Sequence, residues 1–274
     1  MELERLILGN HRGLEHLDLS ILKGSIQKGA RHLLEYGKKV VILSGFYIIT
    51  AQTYENDGLL GAIALARALQ ILGIPTLFLS DRDCSRLWEN WGNPFGAKSQ
   101  GMPILDRDKS RKWCQEWLKA EEPSFFLSIE RCGPTPKGRY LNMAGKDISS
   151  HTAKLDLFFE MAIPNLAIGD GGNEIGMGNI FEQLCDLGLK EPCITPTDIL
   201  ILAGTSNWGG YALIHQMEKE TGKKLLWSPQ EEASFHELLK QSGIVDGVQG
   251  KVSDSVDSIP FEEYQKKWVD FTGK

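Results

Sequence analysis

The sequence predicts an α/β fold, a three-layer sandwich with a mostly parallel, doubly wound sheet. Strand-like and helix-like segments alternate along the 274 residues, with no internal repeat or linker between them. This alternation is typical of a parallel sheet with helices on both faces. The strand-like segments are continuous apolar runs, as expected for strands that are buried on both faces. We therefore expect one domain over residues 1–274.

The first predicted elements are a helix over residues 24–36 and a strand over residues 38–43. Ile26, Ala30 and Leu33 recur at helical spacing along the first segment. The second segment is a β-branched apolar run, which indicates a strand in the interior of the sheet.

The clearest predicted helix lies between Asp57 and Gly73. Asp57 is a natural N-cap, Gly73 is a natural stop, and Pro75 prevents the helix from continuing. Arg67 is the only charged residue between the two ends, so we expect most of the helix circumference to be buried.

The remaining segments continue the alternation to the C-terminus. We expect strands at residues 76–79, 124–129, 165–168 and 199–202, and helices around 109–119, 152–161, 174–187 and 209–220. A last helix near 229–242 precedes a tail rich in Gly, Ser and Asp, which we expect to be irregular.

Composition and charge exclude several classes of protein. The chain is 42% hydrophobic and 24% charged, which is ordinary for a globular protein. Its net charge is −6 and no basic stripe is interleaved with aromatic residues, so we expect no nucleic-acid partner. The longest apolar stretch, residues 40–51, is interrupted by polar residues and is shorter than the about 20 residues of a membrane span. We expect no membrane partner.

The cysteines and the N-terminal residues favour a cytoplasmic location. The five cysteines include no C-x-x-C pair, so they indicate neither a disulfide framework nor a zinc site. The first residues include Glu2 and Glu4 and lack the apolar core of a presequence. Whether the chain forms a homo-oligomer stays open.

Four polar loops follow predicted strands. In open α/β sheets, ligands bind at the carboxyl ends of the strands, where such loops lie. The four loops are residues 44–58, 130–133, 169–178 and 203–210. Their density of carboxylate, amide and glycine exceeds what plain turns need, so we expect the functional site there.

The loop at residues 169–178 carries the strongest signal. Its five glycines allow the backbone to approach a ligand closely. It is not a dinucleotide-binding loop, and Met177 stands where a Walker A loop has lysine. Asp170 and Glu174 suit a hard divalent cation, or an ammonium group and proton transfer. A glycine-rich turn in which Asn173 and Glu174 cap a helix is an equally good interpretation.

Two further loops supply candidate ligand-binding residues. Arg131 directly follows a predicted strand, and its planar guanidinium can hold a carboxylate through two parallel hydrogen bonds. A structural pair between Arg131 and Glu130 is the alternative. Asn207 either caps the next helix or binds a ligand.

Together these loops resemble the D-glutamate cyclase family over nearly the whole chain. The resemblance rests on Ser44-Gly45-Phe46, Asn56-Asp57-Gly58, Ile129-Glu130-Arg131, Tyr140-Leu141-Asn142-Met143, residues 169–178 and 206–213, and tail segments 245–248 and 255–257. The family often has Thr-Gly-Phe at the first motif and Thr-Asp-Gly at the second. These two differences from the family pattern do not alter the carboxylates or Arg131, but they leave the exact substrate preference open.

The resemblance implies a lyase that converts D-glutamate to 5-oxo-D-proline with loss of water. The α-amino group must lose a proton and attack the side-chain carboxyl, which must then lose an oxygen. A carboxylate base serves the first need, and a divalent cation or a donated proton serves the second. We expect Mg²⁺ or Mn²⁺ as the candidate cofactor and no nucleotide cofactor.

The resemblance also suggests roles for the charged residues. Glu130, Asp170 and Glu174 are the predicted catalytic residues, and Asp170 and Glu174 are the predicted metal ligands. Arg131 would hold the substrate α-carboxylate. Glu130 is the first candidate for the base, and Asp57, placed in the substrate-binding set, is the second.

Four more residues complete the predicted substrate-binding set: Gly171, Gly172, Asn173 and Asn207. The two asparagines would donate hydrogen bonds to the developing oxyanion.

Two other functions stay open at this point. The same acidic loops suit a metal-dependent hydrolase or phosphatase-like enzyme that acts on another small substrate. They also suit a protein that only binds a small ligand or a metal. Turnover of phosphate esters would favour the first, and tight binding without product would favour the second.

Overall fold

A computed structural model describes residues 2–9, 14–92 and 95–273 of the chain. Its strands are β1 Val40–Leu43, β2 Tyr47–Ile48, β3 Thr53–Tyr54, β4 Thr76–Asp81, β5 Lys98–Met102, β6 Phe125–Ile129, β7 Asn165–Gly169, β8 Leu200–Leu202, β9 Ser255–Val256 and β10 Ile259–Pro260. Its α-helices are α1 Glu2–Leu8, α2 Ser25–Tyr36, α3 Leu59–Leu72, α4 Arg82–Trp88, α5 Arg107–Glu121, α6 Phe181–Asp186, α7 Ser206–Thr221, α8 Pro229–Gln241 and α9 Phe261–Thr272.

The central sheet has six strands in the order β5-β4-β1-β6-β7-β8. Every neighbouring pair in it is parallel. The chain starts at β1, builds the sheet outward through β4 and β5, and then returns to the other side of β1 to add β6, β7 and β8. This is the strand order of a doubly wound sheet, and it confirms the predicted fold class.

Helices cover both faces of this sheet. Val40 and Ile42 of β1 belong to a core that includes buried residues of α2, α3 and α7. Val41 and Leu43 point the other way and belong to a core that includes Trp117 of α5. Because alternate residues of a strand face opposite sides, a strand this apolar must be covered twice, and three layers result.

Most predicted elements are confirmed to within a few residues, but several others differ. The strand β5 was not predicted, because its sequence Lys-Ser-Gln-Gly-Met contains no apolar run. The helix predicted around residues 152–161 is a 3₁₀ helix, Leu155–Glu160. The one predicted at 174–187 shortens to α6, preceded by a 3₁₀ turn that starts after Gly176.

The prediction of an irregular C-terminal tail is wrong. The tail contains the β9–β10 hairpin and α9, whose Tyr264 and Trp268 are fully buried against the rest of the core. The hairpin turn brings Asp257 and Ser258 to positive φ angles of 51° and 64°, as a two-residue hairpin loop requires. Among the described residues, no helix is long and apolar enough to cross a bilayer.

A buried carboxylate joins α8 to α7 and α9. Glu232 of α8 is fully buried and accepts hydrogen bonds from Tyr211 Oη at 2.6 Å, Trp268 Nε1 at 2.7 Å and Gln265 Nε2 at 3.1 Å. Burial raises the pKa of Glu232 to about 7, against the hydrogen bonds that favour the ionised form. The folded chain therefore binds this proton more tightly than the unfolded chain does.

The free energy of unfolding should consequently fall as pH rises through 7. The folded pKa lies above the unfolded one, so the contribution of Glu232 is present at low pH and is lost as the carboxyl ionises. We expect a loss of about 1 kcal/mol per pH unit between about pH 5 and 7, which fades above pH 7 because the folded chain then also loses the proton. Urea unfolding at several pH values measures it. Glu232→Gln should remove this part of the slope, and Glu237→Gln on the same helix should not. An unchanged slope in Glu232→Gln would contradict the assignment.

Candidate active site

The crevice between β1 and β6 is the topological switch point of the sheet. The chain leaves β1 toward β4 on one side, while β6 begins the other half of the sheet. The loops that follow β1 and β6 therefore diverge and leave an opening at the carboxyl ends of the strands. Ligands of doubly wound folds bind in this position.

Three carboxylates converge at this opening. Asp57 lies after the β2–β3 hairpin in the connection from β1 to α3, Glu130 follows β6 and Asp170 follows β7. All three side chains are buried, and one carboxylate oxygen of each lies within 4.8 Å of the other two. Ionised carboxylates this close repel one another strongly, so the cluster is suited to bind a cation or to share protons. This set is called the acidic triad below.

Glu130 reaches the triad through an unusual backbone conformation. Its φ angle is +45°, although it is not a glycine and directly follows a buried strand. Its Oε2 accepts a hydrogen bond from Ser206 Oγ at 2.5 Å. Backbone strain of this kind costs about 1–3 kcal/mol and is concentrated at functional sites. Position 58, which faces Glu130, requires glycine, because a Cβ at this position would lie 2.3 Å from the Glu130 Cβ.

Asp57 joins the starts of two helices. We predicted that it caps α3, but Gly58 occupies that position and Asp57 instead accepts hydrogen bonds from the backbone N–H groups of Ser206 and Asn207, at 2.7 and 2.9 Å. A carboxylate is favoured at the start of α7, because the first N–H groups of a helix have no partner within the helix and the helix dipole is positive at that end. The cap prediction is wrong because a helix distant in sequence offers the better donors.

The side chain of Asn207, in α7, forms hydrogen bonds with the start of α3. Its Oδ1 accepts from the backbone N–H of Gly61 at 2.7 Å and its Nδ2 donates to the Asn56 carbonyl at 3.3 Å. It is fully buried in the first turn of α7, whose own N-cap is Thr205. Asn207 therefore neither caps its own helix nor faces a ligand, and the predicted hydrogen bond to an oxyanion is not supported. It holds the two helix starts together and so fixes Asp57.

Glu174 supports the glycine-rich loop from within. Its two carboxylate oxygens accept the backbone N–H groups of Gly171 at 2.9 Å and Gly172 at 2.8 Å. These N–H groups are thereby used and are not offered to a substrate, contrary to prediction. Glu174 also lies outside the acidic triad, so the predicted metal pair of Asp170 and Glu174 is corrected to Asp170 with Asp57 and Glu130.

Arg131 is a structural residue rather than an accessible one. Its guanidinium is fully buried and forms two 2.7 Å hydrogen bonds with the Asp81 carboxylate. It also donates to the carbonyls of Gly45 at 2.8 Å and Ala153 at 2.9 Å, and to Ser80 Oγ at 3.5 Å. The structure thus contradicts the prediction that it holds a substrate carboxylate. The guanidinium does hold a carboxylate through two parallel hydrogen bonds, but this carboxylate belongs to Asp81 and not to a substrate.

A cavity of about 450 Å³ opens beside Glu130. Asn173 lines it, is 7% exposed, and donates from Nδ2 to the Leu141 carbonyl at 2.9 Å. Its Oδ1 has no hydrogen-bond partner within the described part of the chain. Asn173 therefore presents an acceptor oxygen at the cavity wall, and its predicted donation to an oxyanion stays a prediction. Three acidic residues also line the cavity: Glu55, Glu130 and Asp257.

Ser44 is a buried residue to which sequence reasoning assigned no role. Its hydroxyl has no hydrogen-bond partner among the residues that are described, and it lies 3.0 Å from the point where a Gly58 Cβ would stand. The Glu130 Cβ lies 2.3 Å from the same point, so the hydroxyl is close to the triad. Two sequence features could have indicated a role for Ser44: it directly follows β1, and it belongs to the Ser44-Gly45-Phe46 motif on which the family resemblance rests.

Fold and site together define an α/β protein with a buried carboxylate site at the switch point of a doubly wound sheet. The chain belongs to the D-glutamate cyclase-like family: the family model described as "D-glutamate cyclase-like, C-terminal" matches residues 3–270. This confirms the resemblance inferred from the motifs.

A curated relative agrees with the family match. The chain is 30% identical over 321 residues to the Homo sapiens protein named "D-glutamate cyclase, mitochondrial", covering 99% of this chain. It spans 51% of that relative, or about half its length. Because the relative is named as mitochondrial, the cytoplasmic location stays a prediction for this chain.

Proposed function

We propose that this chain converts D-glutamate to 5-oxo-D-proline with loss of water. The observation that carries the proposal is the convergence of Asp57, Glu130 and Asp170 within 4.8 Å, in a chain of the D-glutamate cyclase-like family. The triad supplies buried carboxylates where the reaction needs a proton acceptor and a strong local charge.

Glu130 is the proposed base. It alone of the triad lines the 450 Å³ cavity, which supports a contact with the substrate ammonium group. Each oxygen of Asp57 already accepts a backbone N–H of α7, so Asp57 is the second candidate. After proton loss, the amine attacks the side-chain carboxyl of the same molecule, and proximity is supplied by the substrate itself.

The second step removes an oxygen from the carboxyl group. A carbon–nitrogen bond forms, a carbon–oxygen bond breaks, and the departing oxygen leaves as water with protons from the amine. Glu130, which took up a proton from the amine, returns it to the departing oxygen. The fixed orientation of Asn173 makes its amide the proposed hydrogen-bonding group for the substrate.

The triad also fits a divalent cation. Mg²⁺ and Mn²⁺ prefer carboxylate oxygens, and the three oxygens are close enough together to bind one ion. Asp57 and Asp170 are the residues that would hold it, and Glu130 beside them would remain the base. A bound cation would polarise the side-chain carboxyl and make it a better electrophile.

A stereospecific assay tests this proposal. We expect the purified chain to form 5-oxoproline from D-glutamate and not from L-glutamate. We also expect EDTA to abolish turnover, and Mg²⁺ or Mn²⁺ to restore it. Absence of product from both enantiomers, with and without added metal, would contradict the proposed reaction. Full activity in EDTA would contradict the metal part alone.

A further inference from the structure

The charge of the cavity raises a difficulty for the proposed substrate. Glutamate carries two carboxylates, whereas the cavity is lined by Glu55, Glu130 and Asp257, with Asp57 and Asp170 behind Glu130. The expected anchor, Arg131, is fully buried and bonded to Asp81. A carboxylate placed among so many acids needs a cation as its partner.

Lys146 is the one cationic side chain among the described residues that line this cavity. It is exposed, and no residue in the described part of the chain forms an ion pair with its ammonium group. An ammonium group on a long stem at a cavity wall can reach a ligand at little cost in desolvation.

The backbone that carries Lys146 is well fixed. Asn142 Oδ1 accepts the Lys146 N–H at 2.9 Å, and the Asn142 N–H donates to the Lys146 carbonyl at 3.0 Å. The turn is closed by Gly145, which has a φ angle of 73°. Its two flanks are anchored by Tyr140 and Ile148, which are buried in a cluster with Phe46.

We propose that Lys146 binds the α-carboxylate of the substrate and so makes the site specific for an α-amino dicarboxylate. The inference rests on the proposed function. The α-carboxylate does not react, so this contact lowers KM in particular. The reacting carboxyl and the amine are then left to face Glu130 and the rest of the triad. Lys146 thus takes the role predicted for Arg131.

Lys146→Met tests the inference. We expect KM for D-glutamate to rise at least about 10-fold with kcat changed less than about 3-fold, since one charge-assisted hydrogen bond is lost. Lys146→Arg should keep most of the affinity. Lys190→Met is the matched control, because Lys190 lines the adjoining cavity of about 910 Å³ and not the 450 Å³ cavity. Turnover of 4-aminobutyrate, which lacks the α-carboxylate, should not respond to Lys146→Met.

Calorimetric titration with glutarate separates this inference from the proposed reaction. Weaker glutarate binding in Lys146→Met than in the control supports the inference, even if the chain forms no oxoproline. Equal affinity in the two variants overturns it, even if D-glutamate is cyclised. Binding of glutarate to neither the unmodified chain nor the variants also overturns it.

Discussion

Asp170→Asn is expected to lower 5-oxo-D-proline formation by at least about 100-fold. The Asp170 carboxylate is fully buried beside Asp57 and Glu130, and it contributes a negative charge at the reacting centre. The amide has nearly the same shape but no charge, so the loop should keep its conformation. The rate of product formation from D-glutamate, measured by chiral chromatography, gives the effect.

Asp186→Asn is the matched control for this substitution. Asp186 lies at the exposed end of α6, so its replacement also removes one negative charge but leaves the triad intact. Its activity should equal that of the unmodified chain. A correctly folded Asp170→Asn variant with near-normal turnover would remove Asp170 from the mechanism.

Arg131→Met is expected to destabilise the fold by about 3–5 kcal/mol. The substitution leaves the Asp81 carboxylate buried without its guanidinium, and it also removes the bonds to the Gly45 and Ala153 carbonyls. Urea unfolding followed by circular dichroism measures this change.

The companion variant replaces both partners. Arg131→Met with Asp81→Leu removes the buried ion pair as a unit, so it should recover part of the lost stability. If Arg131 instead served mainly to bind substrate, Arg131→Met would unfold like the unmodified chain and would only raise KM. That result would contradict the structural assignment.

Sequence patterns predicted the sheet well because burial on both faces leaves a clear signature. Residues 40–43 and 166–168 are apolar throughout, and all of them are buried in the central sheet. The strand β5 has no such signature, because it lies at an edge of the sheet and most of its residues are partly exposed. The helix α9 was hidden in a tail whose turn residues dominate the composition.

The candidate site was predicted in part, and the errors share one physical cause. Asp57, Glu130 and Asp170 were each selected because polar residues followed a predicted strand. Sequence could not show which protein group would satisfy a charged side chain. Arg131 is bonded to Asp81, 50 positions away, and Glu174 is bonded to glycines two and three positions away. A distant side chain and a nearby backbone N–H group can each take the place of a ligand. Neither interaction produces a recognisable spacing in the sequence.

Asn207 shows the same limit at a helix start. Its type and position fit a cap, and it does cap a helix, but the helix is α3 rather than its own. Such an exchange between α3 and α7 depends on the packing of two segments that lie about 150 residues apart. These hydrogen bonds can be recognised only in the folded structure, where α3 and α7 lie side by side.

A double-substitution cycle determines whether carboxylates from separate loops act as one catalytic unit. Turnover of D-glutamate would be measured for Glu130→Gln, Asp170→Asn and the variant with both changes. Residues that act together lose their joint effect once either is removed, so we expect the double variant to be no slower than the slower single variant. Rate penalties that multiply in the double variant would show that the two carboxylates act independently, which is incompatible with a single catalytic unit.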